Sequence, residues 1–211
     1  MSARANALTL STDLDGRVLL RALNGISAEI FFTAATPVEG DFRPRSAVRR
    51  VYRYFEPGFG RDFDAWGAAA GTLVGAVDVR SFGRSIPSAV PVWRTVESVT
   101  VTRRRGGATV EVRAPSFVWG MVRKIVGALR EHDAGRLPLA RLTSAVRGQV
   151  RLPLPMAEPD GLVLWDVQYP LRWRFRWEGP NRHQRARARS VLDTLRTRTE
   201  VLRSLPLSGR R

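Results

Sequence analysis

The chain has 211 residues, 44% of them apolar, which is enough for one well-buried core or two small ones. Lysine and arginine together number 35 against 19 acidic residues, and the resulting net charge of +16 favours a polyanionic partner. The composition excludes disulfides and thiol catalysis because there is no cysteine. His132 and His183 have no metal-ligand spacing, and no apolar run has signal-peptide or membrane-spanning length, so we expect a cytoplasmic protein without a metal or a membrane segment.

The basic residues are almost all arginine, since Lys124 is the only lysine. A guanidinium group binds phosphate with two parallel hydrogen bonds and stacks on bases, whereas an ammonium group is a point charge. Codon bias in a GC-rich genome is an equally good account of the arginine excess. It does not account for the net charge.

The first half of the chain alternates short strand and helix patterns. Apolar alternation predicts a strand at 5–11, and helical spacing predicts a helix over 17–24 that stops at Gly25. Further β-like runs cover 30–35 and 48–55, and Pro57-Gly58 is typical of a turn. The next helix is indicated by apolar residues at helical spacing before Gly75, namely Phe63, Trp66, Ala70 and Leu73.

The second half predicts a hairpin, two helices and a strand. Segments 96–102 and 108–113 alternate with period two and are joined by a glycine-containing turn. A helix is predicted over 117–130, a shorter one has Pro138 in its first turn, and a strand covers 162–169. This order favours an α+β fold in which helices pack on one face of an antiparallel sheet.

The chain therefore divides into three predicted segments. Residues 46–170 form the α+β domain, and residues 1–45 supply too few elements to close a core, so they look like the remnant of an N-terminal α/β domain. Residues 171–211 form a basic tail rich in arginine and tryptophan, predicted to be partly helical. Its arginines suit an extended RNA-binding surface, and an equally weighted, compatible alternative is a helix that docks its apolar side, formed by Val191, Leu192, Leu195, Val201, Leu202 and Leu205.

Two stretches carry residues suited to chemistry. In the strand at 48–55, Tyr52 and Tyr54 lie two apart and so share a face, flanked by arginines. Aromatic rings beside guanidinium groups suit an unstacked RNA base and its phosphates, although an exposed basic strand with tyrosines capping a sheet is the plainer alternative. On the helix at 117–130, Arg123 falls off the apolar stripe, and spacing alone does not distinguish it from an ordinary solvated arginine.

A resemblance narrows these alternatives. Five motifs occur in order: Phe-x-x-Arg at 42–45, Arg-x-Tyr-Arg-Tyr at 50–54, Gly-x-x-Asp-x-x-Ser-Phe at 75–82, Phe-x-x-x-Met-Val-Arg-x-Ile-Val-Gly at 117–127, and Asp-Gly-Leu-x-Leu-x-x-Val-x-Tyr-Pro at 160–170. Each motif is weak alone. The ordered series resembles the tRNA pseudouridine synthases of the TruA type.

The resemblance implies an isomerase with the pseudouridine synthase fold that converts uridine to pseudouridine in the tRNA anticodon stem-loop. It implies no cofactor and no metal, and it implies a homodimer. Tyr52 takes the role of the stacking platform for the flipped base, and Arg123 pairs with the catalytic carboxylate and keeps it ionised. Arg45 and Asp78 match further family positions near the site. The residues expected to bind the RNA substrate are Arg43, Arg45, Arg50, Arg53, Tyr54 and Asp78.

The family's catalytic aspartate lies in the motif Arg-Thr-Asp-x-Gly-Val. Aligning Ser2 and Ala3 with the residues after that valine puts the aspartate three residues before Met1, so we expect this chain alone to be inactive and its N-terminal half-domain to be incomplete. A start codon assigned too late would explain this alignment. Two alternatives are a non-catalytic RNA-binding remnant of the same family and a basic protein of the ribosomal type, and the ordered motifs argue against the latter.

Overall fold

The computed structural model describes residues 2–26, 30–57, 62–177, 179 and 182–204. They form two compact units, one comprising Met1–Thr9 with Arg43–Pro170 and the other Leu10–Phe42 with Leu171–Arg211. The predicted division into 1–45, 46–170 and 171–211 concerns domains and stays a prediction. The compact units are groupings by contact, and they combine segments from both ends of the chain. The helices and strands are, in chain order, β1 (Ser2–Ala3), α1 (Gly16–Ile26), β2 (Ala34–Ala35), β3 (Arg49–Pro57), α2 (Phe63–Thr72), β4 (Gly75–Asp78), β5 (Trp93–Val96), β6 (Ser98–Arg104), β7 (Gly107–Ala114), α3 (Met121–Asp133), α4 (Leu139–Val146), β8 (Leu162–Gln168), β9 (Phe175–Arg176) and α5 (Arg182–Ser204).

The larger unit is built on a five-stranded sheet of order β1-β8-β3-β7-β6. All neighbours are antiparallel except β1, which lies parallel to β8 at the edge. Helix α2 packs on β6 and α3 packs on β3, and the two helices contact each other. The predicted α+β fold with an antiparallel sheet and helices is therefore confirmed.

The core of this unit follows the two periodicities of its elements. Along β7 the buried apolar residues are Ala108, Val110, Val112 and Ala114, while Glu111 between them faces the other side of the sheet. The predicted apolar stripe of α3 is buried against this face. The stripe consists of Met121, Val122, Ile125, Val126 and Leu129. Full burial of one such aliphatic side chain stabilises the fold by about 1.5–3 kcal/mol.

Three details differ from the predictions. Residues 5–11 alternate in hydropathy but form no strand. Helix α3 begins at Met121 rather than at residue 117, because Gly120 has φ +80°, a left-handed conformation that interrupts the helix. The sequence did not predict the small sheet of β4 and β5, in which Asp78 lies opposite Trp93.

The smaller unit contains α1, the β2–β9 pair and α5. Asn24 is buried at the end of α1 and joins it to the following segment: its Nδ2 donates to the carbonyls of Leu20 and Phe32, and its Oδ1 accepts from Phe32 N. On α5, Leu192 and Leu195 are 52% and 54% exposed. At these two positions the predicted apolar side of the helix is therefore not packed. The side chains of Val191, Val201, Leu202 and Leu205 lie outside the described residues. No described helix is both long and apolar enough to cross a membrane.

Candidate active site

Strand β3 holds the centre of the candidate site, because it is paired on both sides, with β7 and with β8. Tyr52 lies on its helix-facing side and is half-buried. The Tyr52 ring meets the ring of Phe117 edge to face, with centroids 5.0 Å apart. Burial raises the pKa of the Tyr52 phenol, against a lowering contribution from Arg50, so the ring stays neutral near pH 7. The result is a neutral aromatic surface fixed by its neighbours.

Helix α3 runs in the same direction as β3. Phe117, which touches Tyr52, lies four residues before the start of the helix, whereas Arg130 in its last turn contacts Tyr54 and Glu56 further along β3. The first turn of α3 therefore lies at the Tyr52 end of the strand. Arg123 belongs to that first turn, so the structure places both predicted catalytic side chains at the same end of the same helix–strand pair.

Arg123 is held by reciprocal contacts with Ala157. Its Nε donates to the carbonyl of Ala157 over 2.5 Å, and Ala157 N donates to the Arg123 carbonyl over 3.1 Å. A guanidinium group has five N–H donors, so most remain available to an acceptor. Among the described residues, no aspartate or glutamate forms an ion pair with Arg123.

Arg50 organises the backbone around Tyr52. Its two terminal nitrogens each donate over 2.7 Å, one to the carbonyl of Pro115 and the other to that of Arg45. Pro115 leads into the Phe117 segment, and Arg45 lies in the short 3₁₀ helix Pro44–Ser46. Arg50 thus joins these two segments, while Arg43 and Arg45 keep exposed side chains beside β3.

Three other predicted residues lie away from this surface. Tyr54 is only 2% exposed, with its hydroxyl 3.2 Å from Arg130 Nη2, so it is part of the core and cannot stack on RNA in this conformation. Arg53 faces the other side of the sheet, since it neighbours Tyr52 in an alternating strand; it pairs with Glu111 at 2.6 Å and lies 3.8 Å over the ring of Trp165. Tyr54 thus shares a strand face with Tyr52, as predicted, but is buried; the RNA-binding roles expected for Tyr54 and Arg53 stay predictions.

Asp78 is also buried, at 1% exposure, and pairs with Arg80. Burial alone would raise the pKa of its carboxyl group, but hydrogen bonds from the side chain and backbone of Arg80 outweigh burial and lower it. The exposed group at this place is therefore the Arg80 guanidinium, which sequence reasoning missed. Its spacing of two residues from Asp78 was the available signal.

The described residues contain no cluster of three or more histidine, aspartate or glutamate side chains able to hold a metal ion. The site instead offers a half-buried aromatic ring, a guanidinium group held by its Nε, and exposed arginines. This arrangement can stack a base, bind phosphates and stabilise a carboxylate brought to Arg123.

Comparison with known proteins agrees with the motif series. The model of the tRNA pseudouridine synthase family matches residues 69–170. Proteins named tRNA pseudouridine synthase A are similar to this chain: that of Thermococcus kodakarensis is 36% identical over 149 residues, covering 70% of this chain and 55% of the relative. That of Thermococcus gammatolerans is 30% identical over 181 residues, covering 81% and 67%, and that of Methanosphaerula palustris is 36% identical over 170 residues, covering 78% and 59%.

The matches thus span between about half and two thirds of the relatives' length. The family model includes the helix that carries Arg123 and begins after the strand that carries Tyr52. On these grounds the chain belongs to the TruA family of tRNA pseudouridine synthases.

Proposed function

We propose that this protein binds the anticodon stem-loop of tRNA and takes part in converting uridine to pseudouridine there. The observation that carries the proposal is the placement of Tyr52 and Arg123 at the same end of the β3–α3 pair. The net charge of +16 and the exposed arginines beside Tyr52 support a nucleic-acid substrate.

The reaction is an isomerisation and needs no external reagent. The bond between uracil N1 and ribose C1′ breaks, the base turns, and a bond between C5 and C1′ forms. The proton leaves C5 and N1 gains one, so the atoms balance. Tyr52 provides a neutral ring against which the detached base can stack, and Arg123 provides the positive charge that keeps a catalytic carboxylate ionised.

The carboxylate is the missing component among the described residues, because none of their aspartates or glutamates pairs with Arg123. This observation favours a second, narrower function for the 211 residues alone: tRNA binding without isomerisation. We propose that isomerisation requires a segment carrying the family motif Arg-Thr-Asp-x-Gly, whose aspartate would meet Arg123.

Release of tritium from tRNA labelled at uridine C5 tests both proposals. The 211-residue chain is compared with a fusion that adds the N-terminal segment of the Thermococcus kodakarensis relative before Met1. We expect both proteins to bind tRNA at 150 mM salt and only the fusion to release tritium. Asp→Ala in the added motif or Tyr52→Ala should abolish release.

The outcomes separate the two proposals. Release by the 211-residue chain would show that another carboxylate serves, and would overturn the narrower function. If neither protein binds tRNA more tightly than an unrelated hairpin and the fusion releases no tritium, the proposed function is wrong. Phe55→Ala is the control variant, because Phe55 lies 44% exposed on the sheet face opposite Tyr52.

We further propose a cytoplasmic homodimer, as the family resemblance implies. Light scattering should then give twice the monomer mass of 23.6 kDa at micromolar concentration. A monomer mass throughout that range would contradict the dimer without bearing on tRNA binding.

A further inference from the structure

Trp119 is an exposed aromatic residue close to the candidate site. Its side chain is 64% exposed, although the residues on either side of its segment, Phe117 and Met121, pack inward. Among the aromatic side chains of the described residues, Trp119 is the most exposed, and exposed aromatic residues beside a candidate site often mark a binding surface.

The backbone around Trp119 is fixed rather than loose. Arg84 N donates to the Trp119 carbonyl over 2.9 Å, and Lys124 N donates to the Gly120 carbonyl over 3.0 Å. Gly120 has φ +80°, a left-handed conformation that favours glycine and sets the turn directly after Trp119. The exposed ring therefore has a defined position before any partner arrives.

A cation contacts this ring, and two more lie on neighbouring segments of the chain. The guanidinium carbon of Arg84 lies 4.7 Å from the centre of the Trp119 ring, a cation–π contact that covers part of its surface. The same loop carries Arg80, whose side chain is 51% exposed and is anchored on buried Asp78. Lys124 lies alongside and donates to the Ser81 carbonyl over 3.2 Å. An exposed aromatic ring in contact with an arginine matches a nucleotide, which offers a base to stack and a phosphate to neutralise.

Trp119 follows two residues after Phe117, the residue that contacts Tyr52. Phe117 contacts Tyr52, and two residues span at most about 7 Å between Cα atoms. Successive nucleotides of an extended strand are separated by a similar distance. A nucleotide adjacent to a uridine at Tyr52 would thus arrive near Trp119.

We propose that Trp119, positioned by Arg84, is a second stacking platform that binds a nucleobase of the anticodon loop adjacent to the target uridine. This inference rests on the proposed function and adds a specificity-determining residue to it. The platform recognises the π-face of a base, so it favours an unpaired neighbouring nucleotide over any particular base identity.

The test uses the full 211-residue chain and an RNA hairpin with the sequence of a tRNA anticodon arm, in which 2-aminopurine replaces the nucleotide beside the target uridine. We expect the wild-type chain to quench the 2-aminopurine fluorescence. Trp119→Ala should weaken binding about tenfold and abolish quenching, because one base–aromatic stack is lost. Trp119→Phe should retain quenching and bind within about threefold of the wild type, since a smaller ring still stacks.

Phe55→Ala is the matched control, an exposed aromatic residue removed from the opposite sheet face, and it should bind like the wild type. If Trp119→Ala also binds and quenches like the wild type, Trp119 is not a stacking platform, and tRNA binding itself is unaffected by that result. If the wild-type chain binds the hairpin no better than an unrelated RNA, the proposed function and this inference both fail.

Discussion

Arg123 donates from Nε to the backbone carbonyl of Ala157, and this single hydrogen bond fixes the axis about which its guanidinium group can turn. Among the described residues, its two terminal nitrogens donate no hydrogen bond. A carboxylate can approach them with the two parallel hydrogen bonds typical of arginine–carboxylate pairs.

The first prediction concerns this arginine. In the fusion that carries the aspartate motif, Arg123→Ala should lower the rate of tritium release by about a hundredfold, because charge stabilisation in a protected site is lost. The dissociation constant for tRNA should change by less than about threefold, since the partner of Arg123 is the carboxylate and not phosphate. Single-turnover kinetics and filter binding measure the two quantities. A loss of affinity with an unchanged rate would contradict the assignment.

The second prediction concerns the opposite end of α3. Arg130 pairs with Glu56 at 2.6 Å, where the Glu56 side chain is only 12% exposed. Arg130→Ala would leave this carboxylate poorly solvated and should lower the free energy of unfolding by about 2–4 kcal/mol, measured by urea denaturation. Arg136→Ala is the control, because its pair with Glu131 is more exposed and is expected to contribute less than about 1 kcal/mol. Equal losses would show that burial of Glu56 is unimportant.

The third prediction compares two glycines with positive φ. Gly148 has φ +68°, and a Cβ atom there would lie 2.5 Å from Asp78 Oδ2, whereas Gly135 has φ +72° with nothing within 4 Å. Both alanine substitutions carry the left-handed backbone cost of about 1 kcal/mol, but Gly148→Ala also displaces the Asp78 carboxylate. Gly148→Ala should therefore be the more destabilising by at least about 1 kcal/mol in thermal or urea unfolding. Identical values would mean that the Asp78 contact relaxes without cost.

The fourth prediction concerns pH. The pKa of the Asp78 carboxyl lies below its ordinary value of 3.8, so this group stabilises the fold fully above that ordinary value. The stabilisation is lost as pH falls from about 4 through the lower folded pKa. Because Glu111 and Glu131 also have lowered pKa values, the whole protein should lose stability over this range. Asp78→Asn should make the free energy of unfolding less dependent on pH below about 5, and an unchanged slope would contradict the role of Asp78.

Much of the larger unit follows from local patterns. The apolar stripe of α3 and the alternation along β7 are visible in the sequence, and both are buried as expected. The predicted strand at 5–11 fails because alternation alone supplies no neighbouring strand to pair with. The late start of α3 depends on the conformation of Gly120, which a helical pattern does not report.

The candidate site was less completely predictable. Tyr52 and Arg123 were identified by motif, but their placement at one end of α3 depends on the packing of that helix parallel to β3. Side chains alternate between the two faces of a strand, so the sequence already indicated that Arg53 and Tyr52 face opposite sides of the sheet, although both belong to one motif. The burial of Asp78 and the exposure of Trp119 depend on tertiary neighbours and could not be read from spacing.

The two arginines of α3 have a joint consequence. Arg123 and Arg130 are seven residues apart, which is two helical turns and about 10 Å along the axis, so they project from the same side of the helix. The number of residues between the two arginines therefore sets both their separation along the helix axis and the angle between them. Inserting one residue between them would rotate one arginine by about 100° relative to the other, whereas inserting a full heptad would restore their angle but not their separation. The length of this segment is thus constrained independently of its composition.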